Sequence, residues 1–270
     1  MISQKASLYI LLDISGSMSS FSRKQIIDGL MDLIKKQENI NRYILTIFNT
    51  TSQVVEDKET ILREDLEKHF KPGGGTAMND AFVKTLIIAN DDINEKIVLF
   101  LTDGHENSST ATLEETKNAI IEAQKGDMII MSLGISSDIA KKYGLNEELC
   151  IEFDKDDRGM AEVINASSEV MFEYTKELRS GVQLRCNKNF INNEGFTTAQ
   201  KMKAKKTTSS HNGTVALVAF MFGGIQWITS AGNPDKIKKG QNYMLWSAAG
   251  LIFTLTAYIF VNFVLKLLSQ

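Results

Sequence analysis

Residues 7–12 (Ser-Leu-Tyr-Ile-Leu-Leu) form a near-continuous apolar run that stops on Asp13, the pattern of a strand buried on both faces of a parallel sheet. Runs of the same kind recur at 43–48, 96–101 and 128–133. Between them the apolar positions change period. Ile26, Ile27, Leu30, Leu33 and Ile34 share one helical face, as do Phe82, Leu86 and Ala89, and then Leu113, Ala119, Ile120 and Ala123. A last amphipathic stretch covers 159–178. Alternating strands and helices predict an α/β domain over 1–180: a doubly wound, mostly parallel sheet flanked by helices, with ligands expected at the carboxyl ends of the strands.

The pattern then breaks twice. Residues 181–212 are polar and Lys-rich, ending Lys-Ala-Lys-Lys-Thr-Thr-Ser-Ser-His-Asn-Gly, and read as a linker. Residues 213–230 and 243–265 carry no charge at all. About 20 apolar residues span a bilayer as a helix, Trp227, Tyr243 and Trp246 stand near the segment ends as interfacial anchors do, and Ala-Gly-Asn-Pro-Asp supplies a turn between them. A transmembrane helical hairpin is therefore expected over 213–268.

Charge follows the same division. Of 30 Lys/Arg and 33 Asp/Glu, residues 181–270 hold ten basic residues against Glu194 and Asp235 alone, leaving 20 basic and 31 acidic residues in the first 180. An acidic head is the wrong sign for nucleic acid. The linker lysines 201, 203, 205 and 206 instead suit an anionic membrane surface. The first residues turn acidic too soon for a signal-peptide core, which places the head and the C-terminus on the cytoplasmic side, with the short turn outside. Cys150 and Cys186 fit no disulfide or metal spacing and are expected as reduced thiols.

Three segments carry candidate chemistry. Asp13-Ile14-Ser15-Gly16-Ser17 puts a carboxylate and two hydroxyls directly after the first strand, Gly73-Gly74-Gly75-Thr76 adds a hydroxyl just before a helix beginning at Met78, and Leu101-Thr102-Asp103-Gly104 ends the central strand on a second carboxylate. All are hard oxygen donors, suited to Mg²⁺ or Mn²⁺, and the absence of paired His and Cys argues against zinc. His105-Glu106 has no second His at helical spacing, and the triple glycine lacks the Lys-Ser/Thr of a phosphate-binding loop.

In that order the segments resemble the von Willebrand factor type A (vWA) family and its metal ion-dependent adhesion site, over roughly residues 5–178. The resemblance implies a cation contacted by Ser15, Ser17 and Thr76, with Asp13 and Asp103 bound directly or through water. It also implies a protein partner offering an Asp or Glu to that ion, with Met18, Met78, Asn79, His105, Glu106 and Asn107 at the rim. An aspartate-nucleophile phosphatase uses a similar outline but needs a second Asp where this chain has Ser15, so no catalytic role is expected.

The hydrophobic tail, with Val218 to Ser230 followed by the basic turn and the helix ending Tyr258-Ile259-Phe260-Val261, resembles the type IV secretion pilin family. That likeness implies a bacterial inner-membrane setting. Gly223, Gly224, Ala248, Ala249 and Gly250 would permit close helix packing and self-association. The expectation is a membrane-anchored, cation-dependent interaction module, the alternative being a structural subunit of a pilin-like assembly.

Overall fold

The computed structural model describes residues 5–126, 128–179 and 195–205, with isolated positions 241 and 245. The chain divides into a unit over 1–205 and another over 206–270. The expected hairpin at 213–268 lies outside the described residues, among which no helix is long and apolar enough to cross a membrane.

In the first unit β1 (Ala6–Asp13), α1 (Arg23–Lys36), β2 (Ile40–Phe48) and β3 (Ser52–Lys58) are followed by α2 (Arg63–His69), α3 (Met78–Asn90) and β4 (Glu95–Leu101). Then come α4 (Leu113–Lys125), β5 (Ile129–Leu133), α5 (Ser137–Tyr143), β6 (Cys150–Ile151), α6 (Asp157–Arg179) and α7 (Thr198–Ala204). The sheet order is β3-β2-β1-β4-β5-β6, parallel throughout except for β3, which runs antiparallel to β2.

Side-chain alternation explains the continuous apolar runs. Leu8, Ile10 and Leu12 point to the face covered by α1 and α6, where they join Ile26, Leu30, Ile164 and Met171. Tyr9 and Leu11 point to the face covered by α3, α4 and α5, with Phe82, Ile120 and Tyr143. Every residue of β1 is buried, as a central strand between two helical layers requires. Phe100 stacks on Phe48 with centroids 5.4 Å apart and meets Phe82 at 4.4 Å, joining sheet to α3. The chain winds outward from β1 in one direction through β2 and in the other through β4, so the topological switch point lies between the carboxyl ends of β1 and β4.

Two elements depart from the expected pattern. β3, Ser-Gln-Val-Val-Glu-Asp-Lys, is a half-exposed edge strand whose polar composition carries no buried-strand signature. Part of the expected linker is structured: α7 begins with a capping box between Thr197 and Gln200, and Phe196 and Ala204 are buried in the α1–α6 core. Asp154 N–H donates to the Ala204 carbonyl at 3.1 Å and Phe196 N–H to the Glu148 carbonyl at 2.8 Å. Cys150 is buried with a free thiol, which burial pushes up to about 12. Cys186 lies outside the described residues.

At the sheet end opposite the strand carboxyl termini, Asp92 accepts from Tyr9 Oη at 2.7 Å, Arg42 Nη1 at 3.0 Å and Asn94 N–H at 3.0 Å. Burial alone would raise this carboxyl. The Asn94 N–H, the Ser7 and Tyr9 hydroxyls and the Arg42 charge outweigh it and hold Asp92 below the usual range. A depressed carboxyl stabilises the fold above its unfolded value, about pH 3.9, and that contribution is lost as pH falls through the folded value. Asp92→Asn is therefore expected to cost about 1–3 kcal/mol at pH 7. The gap to the native chain should close toward pH 3, as read from urea midpoints across that range.

Candidate metal centre

Three loops meet at the switch point. The first leaves β1 at Asp13 and turns through a 3-10 segment (Gly16–Ser20). The second is the glycine-rich stretch before α3. The third follows β4. Backbone bonds join the first two: Gly16 N–H donates to the Gly74 carbonyl at 3.0 Å and Gly73 N–H to the Ile14 carbonyl at 2.8 Å. Gly74 adopts φ of 83°, a left-handed conformation that favours glycine. The second and third are clasped through Asn107, whose side-chain oxygen accepts from Thr76 N–H at 2.8 Å while its own N–H donates to the Thr76 carbonyl at 3.1 Å.

These bonds bring all five expected ligands to one place. Asp13 accepts from Ser15 N–H at 2.7 Å and from the Thr102 hydroxyl at 2.5 Å. Ser15 and Ser17 hydroxyls lie 3.0 Å apart, and Ser17 Oγ donates to Asp103 Oδ1 at 2.6 Å. Thr76 enters from the other side. A methyl group at Gly104 would lie 3.2 Å from Thr76 Oγ1, 3.5 Å from Ser17 Oγ and 3.7 Å from Asp13 Oδ2. The point beside Gly104, a residue of the third loop, is thus lined by oxygens from the first two loops. Asp13, Ser15, Thr76 and Asp103 are buried, whereas Ser17 is exposed.

The electrostatics suit a cation. Burial raises the Asp13 carboxyl, the hydrogen bonds from Thr102 and Ser15 lower it, and the Asp103 charge adds to the rise, for a net upward displacement. A divalent ion between the two acids would offset both the lost hydration and the mutual repulsion. Two carboxylates with three hydroxyls form a hard-oxygen set of the kind Mg²⁺ accepts. Among the described residues no group of three or more His, Cys, Asp or Glu is placed to hold a metal, so any ion held here must rely on the hydroxyls.

Two participants escaped sequence reasoning. Thr102 was visible only as the neighbour of Asp103, yet its hydroxyl bridges β4 to Asp13. Lys155, from the loop after β6, donates to the Asp103 carbonyl at 2.5 Å and lies 3.7 Å from Asp103 Oδ2. Nothing local in the sequence ties it to a residue 52 positions away. The expected rim residues also divide. His105 is exposed, Met18 and Met78 are core residues, and Glu106 is structural. Glu106 accepts from Asn79 N–H at 2.8 Å, Ser108 N–H at 2.8 Å, and both Ser109 N–H and Ser109 Oγ at 2.7 Å.

Residues 2–125 match the family model described as VWA domain containing CoxE-like protein, and residues 212–264 match that of type IV secretion system pilin. Inter-alpha-trypsin inhibitor heavy chain H2 of Sus scrofa is 21% identical over 189 residues, 63% of this chain and 19% of that protein. The chain therefore spans about a fifth of the length of the curated relatives it matches. A von Willebrand factor type A structure from Catenulispora acidiphila aligns at 18% identity with a TM-score of 0.49, covering 63% of this chain and 43% of that one. Manganese-loaded Plasmodium vivax TRAP protein aligns at 18% identity with a TM-score of 0.42, covering 57% and 70%.

Because Glu106 gathers four donors from α3 and its own loop, Glu106→Ala is expected to cost about 2–3 kcal/mol in urea unfolding. Substituting the exposed His105 by Ala should leave the midpoint within about 0.5 kcal/mol.

Proposed function

We propose that the von Willebrand factor type A domain carried by this chain is a cation-dependent protein-docking module. In this reading Asp13, Ser15, Ser17, Thr76 and Asp103 hold Mg²⁺, or Mn²⁺, and leave a coordination position for an Asp or Glu of a partner protein. The convergence of the Asp13, Ser17 and Thr76 oxygens on the space beside Gly104, with Ser17 bonded to Asp103, carries the reading. Two carboxylates only balance the charge of a divalent ion, and the hydroxyls add none. The bound ion then stays electrophilic enough to take a third, external carboxylate.

The module is read as non-enzymatic. The position two residues after Asp13, where an aspartate-nucleophile phosphatase places its proton donor, is Ser15, whose hydroxyl is engaged with Ser17. The tail supports a membrane setting through its two uncharged runs and the pilin-family match over 212–264. We place the domain on the cytoplasmic side of a bacterial inner membrane, held there by the hairpin, whose small residues favour self-association. A structural subunit of a pilin-like assembly is the second reading, favoured by the same match. Protease treatment of sealed spheroplasts decides the orientation: digestion of the vWA domain before lysis would refute a cytoplasmic head.

In chelator, Asp13→Asn is expected to be more stable than the native chain, because it removes a buried negative charge facing Asp103. Adding Mg²⁺ should reverse the order. The native chain gains about 2.7 kcal/mol when the ion stands at 100 times its dissociation constant, and Asp13→Asn gains little. Gly104→Ala, which sets a methyl 3.2 Å from the buried Thr76 Oγ1, should lose most of the Mg²⁺ shift relative to its own midpoint in chelator. Equal melting of native chain and Asp13→Asn with and without Mg²⁺ or Mn²⁺ would refute the cation site.

A further inference from the structure

Beside the oxygen cluster the surface opens into a cavity of about 300 Å³ between α3, α4 and α5. Gly104 belongs to both, lining the cavity on one side and the ring of oxygens on the other. The floor is apolar. Met78 and Ile135 are each 2% exposed and Tyr143 is 6% exposed, with Ile139 along the wall and Leu113, 42% exposed, at the mouth.

Three of the polar side chains lining this space, Tyr143, Asn79 and Glu106, are already satisfied within the protein, and a fourth, His105, is exposed. Tyr143 Oη donates to Asn79 Oδ1 at 2.7 Å, and the Asn79 amide donates to the Ala111 carbonyl at 2.9 Å. Glu106 is occupied by its four donors. An occupant is therefore offered apolar surface and is not required to satisfy a buried hydrogen-bonding group. The remaining charged lining residue is Lys142, whose ammonium favours an acidic partner.

We infer that this cavity receives a large apolar side chain lying one or two positions from the acidic residue that the partner presents, so that the partner is read as a two-residue acidic–apolar motif. The inference rests on the proposed cation site. Adjacent Cα atoms are about 3.8 Å apart, and alternate ones in an extended strand about 6.5 Å. The two subsites share Gly104 as a wall, so neighbouring or alternate side chains of one segment are the ones that would reach both. The occupant is a segment of a partner protein, which offers a carboxylate and an apolar side chain on neighbouring positions to a cation and a cavity that share a wall, with Lys142 favouring its acidic character.

The test uses the full-length chain in detergent, applied to arrayed short peptides with one central Glu. The flanking positions, up to two residues away on either side, hold Gly, Leu, Phe or Lys, and binding is read in Mg²⁺ and in chelator. Retention in Mg²⁺ is expected to be about tenfold stronger with Leu or Phe than with Gly, as burial of one such side chain implies. Leu113→Asp puts a carboxylate at the cavity mouth in the first turn of α4, where an acid suits the helix dipole. It should abolish that preference while leaving Mg²⁺-dependent retention of the Gly-flanked peptides unchanged. Equal retention of Gly- and Leu-flanked peptides in Mg²⁺ overturns the cavity's role and leaves the cation reading intact. An apolar preference that survives chelator upholds the cavity and removes the cation from the recognition. No retention of any peptide in Mg²⁺ overturns both.

Discussion

Asp13 has no exposed surface, and a carboxylate removed from water must be compensated by hydrogen bonds, by a counter-charge or by taking up a proton. Thr102 donates to it through its hydroxyl and Ser15 through both its N–H and its side chain. They do not suffice, because burial and the nearby Asp103 still hold the carboxyl above its ordinary value. The remaining imbalance is what a cation beside Gly104 would relieve. A core strand that ends on an uncompensated acid costs stability, so the residue type at this position makes physical sense as a binding group more readily than as a structural one.

The fold makes that arrangement possible by its strand order. β1 and β4 are neighbours in space although β2 and β3 intervene in the chain, and both run parallel, so their carboxyl ends open side by side. Asp13 closes β1, Thr102 and Asp103 follow β4, and the Thr102 hydroxyl spans the gap. Behind this edge Gly134, with φ of 95°, passes so close that any side chain would collide with the Thr102 carbonyl. The third loop is thereby held from both sides: by Asn107 toward α3 and by close packing toward β5.

Much of this was legible in the sequence because burial on two faces leaves an unmistakable apolar run, and the oxygen donors stand directly after such runs. The helices α1, α3, α4 and α6 were likewise visible from their spacing. What stayed hidden has a common cause. β3 pairs on one edge and keeps charged residues outward, so its composition resembles a loop. Residues 195–205 have the composition of a linker because only Phe196 and Ala204 are buried among polar neighbours, too few positions to show a period. Lys155 reaches Asp103 only through the sheet's closure around β6. Local pattern reports what one segment buries, and contacts between distant loops leave no such trace.

The four acids around the crevice show how environment rather than residue type assigns a role. Asp80 accepts from the Thr110 N–H and hydroxyl at 3.1 to 3.3 Å and from the Ala111 N–H at 2.8 Å. Although burial pushes its carboxyl up, the Ala111 and Thr110 bonds bring it below the ordinary range. Glu106 is saturated in the same way by donors from Asn79, Ser108 and Ser109. Both acids spend their lone pairs fastening the loop after β4 to α3, which leaves little to offer a cation. Asp13 and Asp103 each accept from a hydroxyl, of Thr102 and Ser17 respectively, alongside the Ser15 N–H on Asp13, and a hydroxyl, unlike a backbone N–H, can turn its proton away and present oxygen. The pair that remains adjustable includes Asp13, whose Oδ2 faces Gly104, and the rigid pair beside it fastens the loop that carries that glycine.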